Sequence, residues 1–393
     1  RNLITQSGGD VSDYPINALE TVFYPTNKIR LPVDKENVIK SGIFKEKDRD
    51  KIVDFIDIDL PESILTKNQI MMLDILANNN WERPIYFTGG SYEDSEYIWM
   101  KDYLQLDGLV YKLVPIKTSI DANPYEMGRI DSDLMYNIVK EWSWGNSNSN
   151  KIYHDPETRK NSISFRSNLS RLSEVLIDED KYEQAEEIID LAFSKMPIDY
   201  YGYYSLWTPF VKGYYEINRD DKAQEIVKKL SFKYSDRLNY YSSLEIFNQY
   251  NVGEEIISDI ERFRNLIETI KASGEKDILS EQIKSFISGS EKFNYIYGEY
   301  DFYISLSDFI ISLVELNQLE YSRSILDKIE EQLIRRVSVF SNIDQDEQVY
   351  YIEGITSDIN QYSRLISQIE IYDVELHNDY DKNLKEMLSK MVE

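Results

Sequence analysis

The stretch SNLSRLSEVLIDEDKYEQAEEIIDLAFSKMP, residues 167–197, decides the reading of the second half of this chain. Leu169, Leu172 and Leu176 recur at helical spacing. Ala185, Ile189 and Ala192 recur at the same spacing after a polar break at residues 178–181. Two amphipathic helices folded back on each other satisfy that pattern. Ala185 is small enough to let the second helix approach the first closely, and Pro197 stops it.

With Pro197 included, these residues sit at the 4-7-11-20-24-27-32 spacing of a tetratricopeptide unit. Trp207, Phe210, Tyr214, Ala223, Val227 and Leu230 repeat it. The two small residues are 38 apart and not 34, so the turn between units has grown by about four residues. A weaker echo runs through Leu306, Phe309, Leu313, Ser322, Leu326 and Ile329. Between them Ile256, Ile260, Phe263, Ile267 and Ile270 form another apolar stripe, closed by Gly274. Helices at 349–370 and 373–391 finish the chain. Such units cannot bury their faces alone, so neighbours must stack. The expectation for residues 164–393 is an irregular tetratricopeptide-like helical array, an α-solenoid.

Working back toward the start, the period changes. Residues 52–60 (IVDFIDIDL) read as a strand ended by Pro61. Thr66 and Gln69 make a capping box that opens a helix to about Asn78. Residues 84–87 are a short strand, 93–106 a second helix broken by Gly108, and 109–116 a third strand. Alternating strands and helices predict a small parallel α/β layer with right-handed crossovers over residues 1–117. Residues 118–163 are expected to be a connector with one helix at 132–142 and a polar loop from 145 to 164.

The chain carries 44 basic and 70 acidic residues, a net charge of −26. Such a surface repels phosphate backbones and anionic headgroups, so nucleic acid is not an expected partner. Cysteine is absent, which removes disulfides, thiolate nucleophiles and zinc–thiolate sites. Two histidines, His154 and His377, are too few for a His-rich metal site, and both lie in polar sequence. No run of about 18 apolar residues exists, so no direct membrane insertion is expected. Beginning at Arg1 without an initiator Met, the chain reads as a soluble piece of a longer protein.

Three places hold residues that could do chemistry or bind. Asp57 and Asp59, with Asp54 nearby, are the most enzyme-like acids. On a strand Asp57 and Asp59 share a face about 7 Å apart, compatible with a shared cation. The competing reading is a solvated strand face. Thr88, Gly89 and Gly90 follow a strand and precede the expected helix, where backbone amides could cradle an anion; a plain turn is the alternative. Tyr200, Tyr201, Tyr203 and Tyr204 lead into Trp207, and tyrosine gives rigid amphipathic contact surface. Either they line a binding groove or they pack between helices; Trp207 itself is assigned to the core. Trp81 reads as a lid over the α/β core. No catalytic residue, no metal ligand set and no cofactor is expected.

More specific are several phrases in the first half. They include YPTNKIRLPVD at 24–34, DFIDID at 54–59, LDILANNNWERPIYF at 73–87, YLQLDGL at 103–109, GRIDSD at 128–133 and WGN at 144–146. Over roughly residues 10–235 the chain resembles the C-terminal region of a family of Bacteroidetes-type membrane proteins. That family, catalogued as of unknown function, has a protein O-mannosyltransferase-like membrane half of the GT-C type. The resemblance implies a multi-spanning N-terminal half as this chain's own partner, and a location on the periplasmic face of the bacterial inner membrane. It also implies a protein or glycan acceptor. The catalytic acid of such enzymes lies in the membrane half, so none is carried onto this chain. The expected role is a non-catalytic extracytoplasmic accessory domain that recruits an acceptor or partner protein. The alternatives are an interaction scaffold in a membrane-anchored assembly, or a cation-assisted α/β enzyme.

Overall fold

The computed structural model describes residues 4–5, 22–23, 27–44, 46–60, 65, 67–88, 98–118 and 127–392. Contacts divide the chain into two units, Arg1–Gly202 and Tyr203–Glu393.

The first unit holds all the described strands. β1 (Ile4–Thr5) pairs with β2 (Val22–Phe23). β3 (Lys28–Pro32) pairs with β4 (Phe55–Asp59), and between them lies the short helix α1 (Lys35–Lys40), capped by the Asp34 side chain. After α2 (Lys67–Asn79) come β5 (Tyr86–Thr88), β6 (Leu104–Asp107) and β7 (Val110–Leu113), in the order β5-β7-β6. Every pairing of these strands is antiparallel, so the expected parallel layer is corrected.

The reason is local. Asp107 and Val110 face each other across a two-residue turn, Gly108-Leu109, which can only reverse the chain. Gly108 has φ +69, and a Cβ there would stand 3.1 Å from Ile138 and 3.2 Å from Trp142. The helix expected to run to residue 106 is corrected too. Residues 98–103 form one 3-10 segment and 104–107 are strand; residues 91–97 lie outside the described residues, as does the Thr66 cap. Leu104 and Leu106 alternate with Gln105 and Asp107, a period of two and not of 3.6.

The core of this part joins Ile56 and Ile58 from β4 with Leu104, Leu113, Leu76 and Trp81. Trp81 is the lid the sequence suggested: it is 5% exposed and its indole donates to the Pro32 carbonyl at 2.9 Å.

Helix α3 (Ser132–Lys140) leads into α4 (Pro156–Asp178), α5 (Tyr182–Lys195) and the single turn α6 (Ile198–Tyr201). The polar loop expected through residue 164 therefore ends nine residues earlier, at Asp155. Asp155 is the N-cap, accepting from the amides of Glu157 and Thr158, and Pro156 takes the first helical position. On α4, Leu169, Leu172 and Leu176 are fully buried, as are Ala185, Ile189 and Ala192 on α5, which packs against it. This is the helix pair read from the opening stretch. Arg171 donates to the carbonyls of Met127 and Gly128, and Asn168 to that of Gly108, tying α4 to the strand region.

The second unit is helical. Its elements are α7 (Thr208–Glu216), α8 (Asp220–Ser243), α9 (Ile246–Asn251), α10 (Gly253–Ala272), α11 (Leu279–Ser290), α12 (Asn294–Tyr297), α13 (Glu299–Ile304), α14 (Ser307–Glu315), α15 (Leu319–Asn342), α16 (Gln345–Ile369) and α17 (Val374–Val392). The longer helices pack in sequence, α7 on α8, α8 on α10, α10 on α11, and so on to α17. Contacts also skip one helix, as between α7 and α10, α8 and α11, and α14 and α16.

A row of rings runs through this unit. Tyr234 of α8, Phe263 of α10, Phe286 of α11 and Phe309 of α14 are successively 5.4, 5.5 and 5.4 Å apart. The first pair is stacked and the others edge-to-face, the arrangements that aromatic quadrupoles favour. The guanidinium of Arg264 lies over both Phe286 and Phe309, at 5.6 and 5.4 Å.

Candidate functional site

On β4 the side chains of Phe55, Asp57 and Asp59 face outward while Ile56 and Ile58 enter the core. The acids do share a face, as the alternation required. Antiparallel pairing then sets Arg30 of β3 opposite Asp57 and Lys28 opposite Asp59. Arg30 binds Asp57 with both prongs of its guanidinium, at 2.6 and 3.0 Å. Lys28 stands 3.9 Å from Asp59, and Lys35 stands 2.8 Å from Asp54. The hydrogen bonds from Arg30 hold the Asp57 carboxyl below the usual carboxylate range. Each carboxylate thus has a protein cation beside it. Among the described residues no group of three or more His, Asp or Glu is placed to hold a metal ion.

Titrating Mg²⁺ or Ca²⁺ into the protein is therefore expected to leave Tm unchanged, because a bound ion would have to displace Arg30 or Lys28. A saturable rise in Tm that disappears in Asp57→Asn would instead establish a cation site there.

Thr88 is exposed at the end of β5, paired with Val110. Gly89 and Gly90 lie outside the described residues.

The tyrosine run divides between the two units. Tyr200 stacks on His154, with ring centroids 5.4 Å apart and planes 9° from parallel. Tyr201 is buried and donates to the Ser147 carbonyl at 2.8 Å. In the second unit Tyr204 meets Tyr234 edge-on at 5.9 Å, and Tyr203, in the left-handed region at φ 47, is the exposed member. Trp207 is fully buried, in keeping with its assignment to the core. Both histidines are held through backbone carbonyls, His154 by Ser149 and His377 by Ile366.

One polar cluster escaped the reading of the sequence. On β6 and β7, Lys112 and Asp107 form an ion pair at 2.8 Å with both side chains almost fully buried. Gln105 donates to Asp107 at 2.8 Å and accepts from Arg129 at 2.7 Å. α3 packs against β6 here, and the hydrogen-bonding groups satisfy one another. The only available signal was polar residues, Gln105, Asp107 and Lys112, at alternate positions of two short strands.

Residues 3–134 match the family model described as TMEM260-associated domain 2, so about the first third of the chain is similar to that domain. Comparisons with curated proteins and with solved structures gave no match. The matched stretch overlaps most of the phrases that carried the resemblance to an O-mannosyltransferase-like membrane protein, and the match fits that resemblance. Among the described residues no helix is long and apolar enough to cross a membrane.

Proposed function

We propose that this chain is a non-catalytic, extracytoplasmic accessory region of an O-mannosyltransferase-like membrane protein. The match of residues 3–134 to a TMEM260-associated domain is the observation that carries this reading. The strand region would stand beside the membrane half, on the periplasmic face in a bacterium. The helices that follow, a tetratricopeptide-like array, would dock the acceptor or a partner protein. Two features support a docking role. The enzyme-like acids are occupied by Arg30 and Lys28, and the helices of the second unit pack on their neighbours and next neighbours, as stacked helical units do.

The test is deletion of residues 203–393 from the full-length protein in cells, leaving the first unit whole. Acceptor glycosylation is expected to fall at least tenfold while the truncated protein stays in the membrane. Unchanged modification would sink the docking role. A second reading, an interaction scaffold without sugar transfer, draws on the same helix packing. It predicts a partner captured from membranes and no change in glycans.

A further inference from the structure

In the second unit, side chains from separate segments meet around one buried carboxylate, that of Asp259 on α10. Arg237 of α8 stands 2.8 Å from one of its oxygens, and Arg262, one turn further along α10, donates to the other at 3.3 Å. Arg237 also donates to the Tyr241 hydroxyl at 2.7 Å, and that hydroxyl donates to Asp259 at 3.1 Å. The segment that enters α7 adds Tyr204. Its ring meets Tyr234 edge-on, and its hydroxyl lies within electrostatic reach of Arg237.

This cluster does not cancel its own charge. One carboxylate faces two guanidiniums, and neither has another acidic partner among the described residues. Both are reachable, with side chains 39% and 46% exposed, while Asp259 beneath them is shut off from solvent. Held by the two oxygens of one carboxylate, they stand close enough for a single anion to bond both. Donors remain for it: Nη1 of Arg237 and Nη2 of Arg262 make no hydrogen bond among the described residues. A free arginine loses rotamer entropy when it clamps a ligand. Here Asp259 and Tyr241 already fix the forks, so that cost is largely met on folding.

We propose that Arg237 and Arg262, with the Tyr204 hydroxyl, form a binding site for a phosphate monoester. A carboxylate offers two oxygens in one plane and fits one guanidinium fork. A phosphate monoester offers three terminal oxygens and a charge of about −2, which suits two guanidiniums and a hydroxyl together. The net charge of −26 does not bar a single phosphate, because salt screens exposed charges beyond about 8 Å. A soluble ester and a lipid headgroup share this chemistry. The site stands beside the docking role and does not depend on it.

Isothermal titration of the whole chain with ethyl phosphate tests this, with diethyl phosphate and propionate as the diester and carboxylate probes. Arg262→Gln is expected to weaken ethyl phosphate binding about tenfold while lowering Tm little, since Arg237 and Tyr241 still hold Asp259. Tyr204→Phe should weaken it several-fold with Tm unchanged. Arg335→Gln, which breaks an exposed pair on α15, should change it less than about twofold. Diethyl phosphate and propionate should each bind about tenfold more weakly than ethyl phosphate. Co-sedimentation with phosphatidylcholine vesicles containing phosphatidic acid separates the sources. Vesicle binding that Arg262→Gln abolishes assigns the site to a lipid headgroup; ethyl phosphate binding without vesicle binding assigns it to a soluble ester. Failure of both probes would overturn the proposal. So would equal losses in Arg335→Gln and Arg262→Gln, or propionate binding as tightly as ethyl phosphate.

Discussion

Phe263→Ala is expected to cost the second unit about 4 kcal/mol, within the range for truncating a buried phenylalanine. Phe263 is fully buried at the centre of the ring row, between Tyr234 and Phe286. Removing it takes away two aromatic contacts and leaves a cavity where α8, α10 and α11 meet. Those helices cannot close the gap without breaking contacts on their other faces, so relaxation recovers little. The loss is a large share of the stability of an ordinary domain. Hydrogen exchange read by mass spectrometry localises it. Protection should fall in peptides of α8, α10, α11 and α14, and hold in those of β3 and β4. A loss below about 1 kcal/mol, or one spread evenly over both units, would mean that the ring row does not organise this unit.

The same helix carries the second large effect. Asp259 is fully buried, at 0% exposed, yet it is a carboxylate. Arg237 of α8 meets it at 2.8 Å, Arg262 at 3.3 Å, and the Tyr241 hydroxyl donates to it at 3.1 Å. A buried charge survives only with this kind of satisfaction. Asp259→Ala is expected to cost about 3 kcal/mol, the low end for breaking a buried pair, because both arginines reach solvent and can rehydrate. Asp259→Asn should lose less, since the amide oxygen still accepts from Tyr241. Urea unfolding midpoints at constant slope measure both. Asp259→Ala no weaker than Asp259→Asn would show that the α8–α10 clamp contributes nothing beyond packing.

How much of this was legible depended on the range of the interaction. The α10 stripe could be read directly, because Ile256, Ile260, Phe263, Ile267 and Ile270 lie on one face of one helix. The outward row of Asp57 and Asp59 could be read for the same reason, as strand alternation is local. Their partners could not. Arg30 is 27 residues away, and only the antiparallel register brings it opposite Asp57. The strand direction itself has a local signal: Asp107-Gly108 between alternating residues is a hairpin turn, although Gly108 after an apolar run equally resembles a helix end. Asp155-Pro156 was likewise a helix start inside a polar stretch. Tyr234 and Phe286 were not singled out, because the ring row exists only once four helices stack. The tyrosine run divides by burial, which composition does not encode. Tyr201 is buried with its hydroxyl satisfied, while Tyr203 stands exposed two residues later.

The central claim is that this chain serves a membrane enzyme without performing its chemistry. The most direct measurement expresses the membrane half and this chain as separate polypeptides and follows radiolabelled sugar from a lipid-linked donor into protein. We expect no transfer from this chain alone, weak transfer from the membrane half alone, and restoration when the two are co-expressed. Sugar transfer by this chain alone, or full transfer by the membrane half without it, would contradict the claim.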